Sequence, residues 1–96
     1  MEMSHTLKVL VGFRKGRKIT QEQLGESMKL SRMTVNSIEN RRRGLTLDNI
    51  GAYLNSLNKL KEGNQSKITK KEWNLLVKAF MEDTLNRYIG TLNIIQ

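Results

Sequence analysis

The chain has no cysteine and a single histidine, His5. Without thiols there is no disulfide framework, no thiolate metal site and no thiol nucleophile. One imidazole has no second with which to form a zinc site or a proton relay, and His5 reads as a solvated residue near the N-terminus. No metal and no cofactor is expected. No apolar run approaches the roughly 20 residues of a membrane span, and no signal-peptide pattern opens the chain, so a soluble, cytoplasmic protein is expected. There is no phosphate-cradling glycine loop. The adjacent acids Glu82 and Asp83 would point about 100° apart on a helix, which makes them solvating groups rather than a carboxylate dyad. These absences leave no catalytic constellation, and no enzymatic activity is expected.

What is present is a small basic chain. Its 96 residues, 38% of them hydrophobic, suffice for one small domain with a modest core. Seventeen lysines and arginines stand against nine acids, giving a net charge of +8. The excess is uneven: residues 1–45 hold ten bases and four acids, residues 46–96 seven and five. A basic N-terminal half suits a phosphate-binding surface.

The organising stretch runs from Thr20 to Asn40, TQEQLGESMKLSRMTVNSIEN. Thr20 is an N-cap residue and Gln23, three positions on, completes a capping box. Leu24 and Met28, four apart, share one face of the helix that follows. A break falls at Lys29-Leu30. Ser31 caps a second helix, with Val35 and Ile38 facing inward. Met33, Asn36, Ser37 and Asn40 then fall on the opposite face with Arg32 on its flank. Two short helices around a tight break, the second presenting a polar stripe, make a helix-turn-helix pattern.

In these residues the stretch resembles the lambda-repressor/Cro-like (XRE-type) helix-turn-helix family of bacterial and phage regulators. The likeness rests on Thr20-Gln21, Leu24, Gly25, Val35, Ile38 and Glu39-Asn40, and with its flanks it covers Leu7 to Leu57. Two positions depart from the family pattern. Lys29 replaces the usual turn glycine, a strain on the order of 1 kcal/mol. Gly25 replaces the usual alanine, at about the same cost inside a helix.

The first helix runs from a Ser4 cap to about Gly16, with Leu7, Leu10 and Val11 as its main stripe and Val9 and Phe13 off it. Arg14 lies within that stripe, so it must either find a partner or snorkel to solvent. The family resemblance suggests Glu39 as the partner. Arg41-Arg42-Arg43, just past the second helix of the motif, reads as a solvated run or as phosphate contacts; its position favours the phosphates. Thr46 caps a fourth helix, with Asp48 in its first turn and Leu47, Ile50, Leu54 and Leu57 facing the core. Residues 58–68 form a polar linker broken by Gly63. Thr69 and Glu72 open a last helix with a second capping box. Trp73, Leu76, Val77 and Phe80 are expected to close the core, with Leu75 and Ile89 on the other side. The tail from Gly90 reads as a short strand or as disordered.

The expected fold is all-α: a five-helix lambda-repressor-like bundle with a helix-turn-helix and a long C-terminal helix. Residues 1–57 form the DNA-binding core, and residues 69–96 join the same domain and carry dimerisation. The resemblance implies a sequence-specific double-stranded DNA-binding regulator, a repressor acting as a homodimer on a pseudo-palindromic operator. Arg32, Met33, Asn36 and Ser37 are expected against base edges. Gln21, Ser31, Asn40, Arg41, Arg42 and Arg43 are expected on phosphates. Leu75, Leu85, Ile89 and Leu92 are left over as a dimer surface. The alternative is an antitoxin-like module whose last helix binds a second protein.

Overall fold

The computed structural model describes residues 3–40, 44–60 and 67–95, with side chains described through residue 86. Its elements are α1 (Ser4–Gly16), α2 (Gln21–Met28), α3 (Arg32–Glu39), α4 (Leu47–Leu60) and α5 (Lys70–Ile95). There is no strand among the described residues, and the fold is the all-α bundle of lambda-repressor type. The core gathers Leu10 and Phe13 of α1, Ile19, Leu24 of α2, Val35 of α3, Tyr53 and Leu57 of α4 and Leu76 of α5. Every helix therefore contributes to one cluster, while α2 and α3 pack against each other and α2 also rests on α4.

α1 and α5 run antiparallel and are fastened near both ends. At the C-terminal end of α1, the Arg17 guanidinium donates to both Glu72 oxygens at 2.9 and 2.8 Å and lies over the Phe13 ring. Glu72 also accepts from the Thr69 backbone N–H, while its own N–H donates to Thr69 Oγ1, so the second capping box is formed. At the other end, the Asp83 carboxylate lies against the first turn of α1. It accepts from the backbone N–H groups of His5 and Thr6, at 3.1 and 2.8 Å, and from the Thr6 hydroxyl at 2.7 Å.

This arrangement corrects three sequence expectations. Ser4 does not cap α1: the helix begins at Ser4, its N-cap position is Met3, and no local side chain accepts from the first turn. Asp83 is not a solvating acid but is 4% exposed, supplying from 77 residues away the acceptor that Ser4 does not. His5 is not merely solvated, since its Nδ1 lies 2.8 Å from Asp83. Burial alone would raise the Asp83 carboxyl, but bonds from Thr6 and His5 hold it below the usual range.

The apolar stripes are rotated from those expected. On α1, Thr6, Leu7, Leu10, Phe13 and Arg14 are buried and Val11 is only partly so. On α4 the inner side is centred on Tyr53, Ser56 and Leu57, while Leu47 is 70% exposed at the helix start. On α5, Leu76, Ala79 and Asp83 face α1, leaving Trp73 and Val77 exposed. The rotation follows from Asp83: turning it toward α1 swings the side bearing Trp73 and Val77 outward. Helix α4 also continues to Leu60, into the expected linker. The expected strand or disordered tail is instead the continuation of α5, helical to Ile95.

Candidate nucleic-acid interface

The link between α2 and α3 is a left-handed turn. Thr20 Oγ1 accepts from Gln23 N, and the Gln23 side chain accepts from Thr20 N, which anchors the start of α2. At the other end Lys29 has φ 59°, and the Leu30 N–H returns to the Gly25 carbonyl at 2.8 Å. The return brings backbone so close that a Cβ on Gly25 would lie 2.7 Å from the Leu30 carbonyl oxygen. The two departures from the family pattern therefore belong to one turn, and glycine at 25 supplies the space its tight closure requires. Ser31 then caps α3, accepting from Thr34 N at 3.1 Å.

With Val35 and Ile38 buried, α3 turns its other side to solvent. Arg32, Met33, Asn36 and Ser37 line one shallow recess on that side. Met33 is 80% exposed, an apolar side chain in the middle of a polar patch.

Behind this face sits Glu39, and both its oxygens are fully used. Oε2 accepts from Arg14 Nε and from the Tyr53 hydroxyl, both at 2.7 Å. Oε1 accepts from Arg14 Nη2 at 2.8 Å and from Gln21 Nε2 at 2.9 Å. Arg14 also donates to the Ile19 carbonyl, so the buried guanidinium is satisfied. Burial alone would raise the Glu39 carboxyl, but the bonds from Arg14, Gln21 and Tyr53 hold it below the ordinary range. Burial, reinforced by the carboxylate, pushes the Tyr53 phenol well up and keeps it a donor. From Glu39 the network runs outward: Asn36 Nδ2 donates to Gln21 Oε1 at 3.2 Å, and Asn40 Nδ2 donates to Asn36 Oδ1 at 2.9 Å.

One family match agrees with this geometry. A family model described as helix-turn-helix covers residues 13–63, more than half of the chain. The chain belongs to the lambda-repressor-like helix-turn-helix family. No curated protein and no solved structure matched the chain. As a member of that family it is a DNA-binding helix-turn-helix regulator. Among the described residues no cluster of acids and histidine could hold a metal, and no helix is long and apolar enough to cross a membrane.

The structure brings Arg32, Met33, Asn36 and Ser37 together and ties Gln21 and Asn40 to the same patch. Ser31 is engaged in the cap of α3. Arg41, Arg42 and Arg43 lie outside the described residues. Leu75 and Leu85 lie on α5, 49% and 53% exposed; Ile89 and Leu92 are on the same helix, their side chains outside the described set. Tyr53 is a buried residue that the sequence pattern does not signal, because it lies off the leucine stripe of α4.

Proposed function

We propose that this regulator is a cytoplasmic transcriptional repressor that reads a pseudo-palindromic operator as a two-fold dimer. One observation carries the reading: a solvent-facing polar patch on α3, held from behind by buried bonds, with Met33 exposed at its centre. A side chain as apolar as Met33 is left in water at a cost, which packing on a thymine methyl would offset. In this arrangement the N-terminal half of α3 enters the major groove and Arg32 bridges O6 and N7 of a guanine. Asn36 and Ser37 reach neighbouring base edges. Gln21, Ser31 and Asn40 flank them and contact phosphates, Gln21 through the amide hydrogen that its bond to Glu39 leaves over, and Arg41, Arg42 and Arg43 neutralise further phosphates.

The dimer reading is supported by α5, where Trp73, Val77, Met81 and Leu85 stand 42–55% exposed on successive turns. Leu75 is exposed on another flank, and Ile89 and Leu92 extend the helix toward its end. Burying this side against a second copy places two recognition helices on one duplex, which one short helix reading a few base pairs needs for selectivity. The same exposed side supports a second reading, an antitoxin-like module holding a different protein. A stoichiometric foreign protein that co-purifies would favour that reading.

The deciding experiment is selection of binding sites from random duplexes. A palindromic motif is expected, and Arg32→Ala should cost about 1–3 kcal/mol and relax one base pair per half-site. A motif unchanged by Arg32→Ala would displace the recognition face. Sedimentation of the full chain and of a Val77→Lys/Met81→Lys variant tests the dimer. A wild-type monomer at micromolar concentration, or a variant that remains a dimer, would overturn the α5 interface.

A further inference from the structure

The side-chain amide of Asn36 can be flipped without changing its shape, yet the two orientations offer opposite patterns to a base. Its surroundings remove that freedom. A Glu39 carboxylate only accepts hydrogen bonds, so the Gln21 amide must turn its NH2 toward it, as the 2.9 Å contact shows. That leaves Gln21 Oε1 toward Asn36, which must answer with its own NH2 at 3.2 Å. Asn36 Oδ1 then accepts from Asn40 Nδ2. Each partner has its polarity dictated by the one before it, and the chain begins at an acid whose state is secured by Arg14 and Tyr53.

Once these bonds are made, Asn36 retains one N–H and one oxygen lone pair in fixed order. One donor beside one acceptor is the complement of the adenine edge in the major groove, where N7 accepts and the N6 amino group donates. Guanine, with two acceptors in that groove, leaves the oxygen of Asn36 without a donor.

We propose that Glu39 is a specificity-positioning residue that touches no DNA: through Gln21 it fixes the amide order of Asn36, and Asn36 reads adenine. The inference rests on the proposal that the outer face of α3 meets bases. It assigns Gln21 a role beyond phosphate contact, because only one of its NH2 hydrogens is bound to Glu39.

The test uses the full chain in binding-site selection on random duplexes, comparing wild type with Asn36→Ala, Gln21→Met and Glu39→Gln. Thermal melts and side-chain amide ¹H–¹⁵N spectra of the free proteins accompany it. Glu39→Gln disturbs the buried ion pair and can fail to fold. Gln21→Met keeps the length of the side chain and leaves the Arg14–Glu39–Tyr53 bonds in place, so it decides the matter alone if necessary. Wild type should prefer adenine at one base pair of each half-site, and Asn36→Ala should lose that preference. Gln21→Met should weaken the same preference by roughly tenfold, the discrimination one bidentate amide–adenine pair supplies. It should leave the ranking at other positions intact and move the Asn36 amide resonances in the free protein. A Gln21→Met protein that loses affinity equally for all sequences, or whose Asn36 amide resonances stay in place, overturns the relay while the DNA-reading proposal stands. A preference for guanine at the base pair that Asn36→Ala relaxes overturns it as well. A folded wild-type chain that selects no sequence removes the reading of α3 and the relay with it.

Discussion

α3 and α5 are anchored by the same device and face solvent with opposite chemistry. α3 has eight residues and α5 twenty-six. Each is secured by a carboxylate buried against elements distant in sequence: Glu39 against α1, α2 and α4, Asp83 against the first turn of α1. Outward, α3 shows Arg32, Asn36 and Ser37 around Met33, whereas α5 shows Trp73, Val77, Met81 and Leu85. The contrast separates two jobs that a helix in a small domain performs. Its inner side is fastened by whatever satisfies buried polar groups, while its outer side is free to match a partner. A hydrogen-bonding face suits base edges, and an apolar one suits another protein surface.

Acid should break both anchors together and give the largest effect. Glu39, Glu72 and Asp83 all have folded pKa values below their ordinary ones, Glu72 at about 2 because Arg17 donates to it. The folded state therefore binds fewer protons than the unfolded one near these values. The resulting stability is complete above the unfolded values and is lost as pH falls from about 5 toward 2, measurable as a falling midpoint in urea melts. A midpoint flat over that range would deny the carboxylates their anchoring role. Next in size, Glu39→Ala should cost about 3–5 kcal/mol, since it strands the buried Arg14 guanidinium. Combining it with Arg14→Met should recover part of that loss.

Asp83→Ala sharpens the comparison from the other side. It should cost about 2 kcal/mol, because charge-assisted bonds to two backbone N–H groups and a hydroxyl disappear. Hydrogen exchange should then speed up at His5 and Thr6 while α2 and α3 keep their protection. Equal acceleration in all helices would mean that the two anchors are not separable. The smallest change is expected in the turn itself. Lys29→Gly should add about 1 kcal/mol by relieving a left-handed lysine. Gly25→Ala should destabilise although alanine is the better helix former, because its methyl meets the Leu30 carbonyl. Thermal melts of the two variants moving in the same direction would refute this account of the turn.

The parts of the fold legible in the sequence were those written locally. Thr20 with Gln23, Ser31 before Thr34, and Thr69 with Glu72 declare helix starts within four residues of themselves, and each cap is formed. Val35 and Ile38 set the inner side of α3 by spacing alone. Where the deciding partner is remote, periodicity misleads. The cap of α1 is on α5, so Ser4 attracted an assignment that Asp83 fulfils. Tyr53 is drawn inward by the Glu39 carboxylate, and a stripe defined by leucines had no place for it. Apolar content also overstated the inner side of α5: Trp73 and Val77 lie outside while the small Ala79 lies in. A close approach of two helices needs small residues and satisfied polar groups as much as large apolar ones.

The anchoring of α1 by Asp83 also sets an order of events during synthesis. The backbone N–H groups of His5 and Thr6 leave the ribosome well before their acceptor, which is made almost eighty residues later. Until then the opening turn of α1 has no protein acceptor to hold it, and it stays open to water and to fraying. The buried bonds among α1 to α4 can all be made without α5, so the helix-turn-helix half can assemble before the last helix docks. Docking of Asp83 then locks the first turn of α1 to α5.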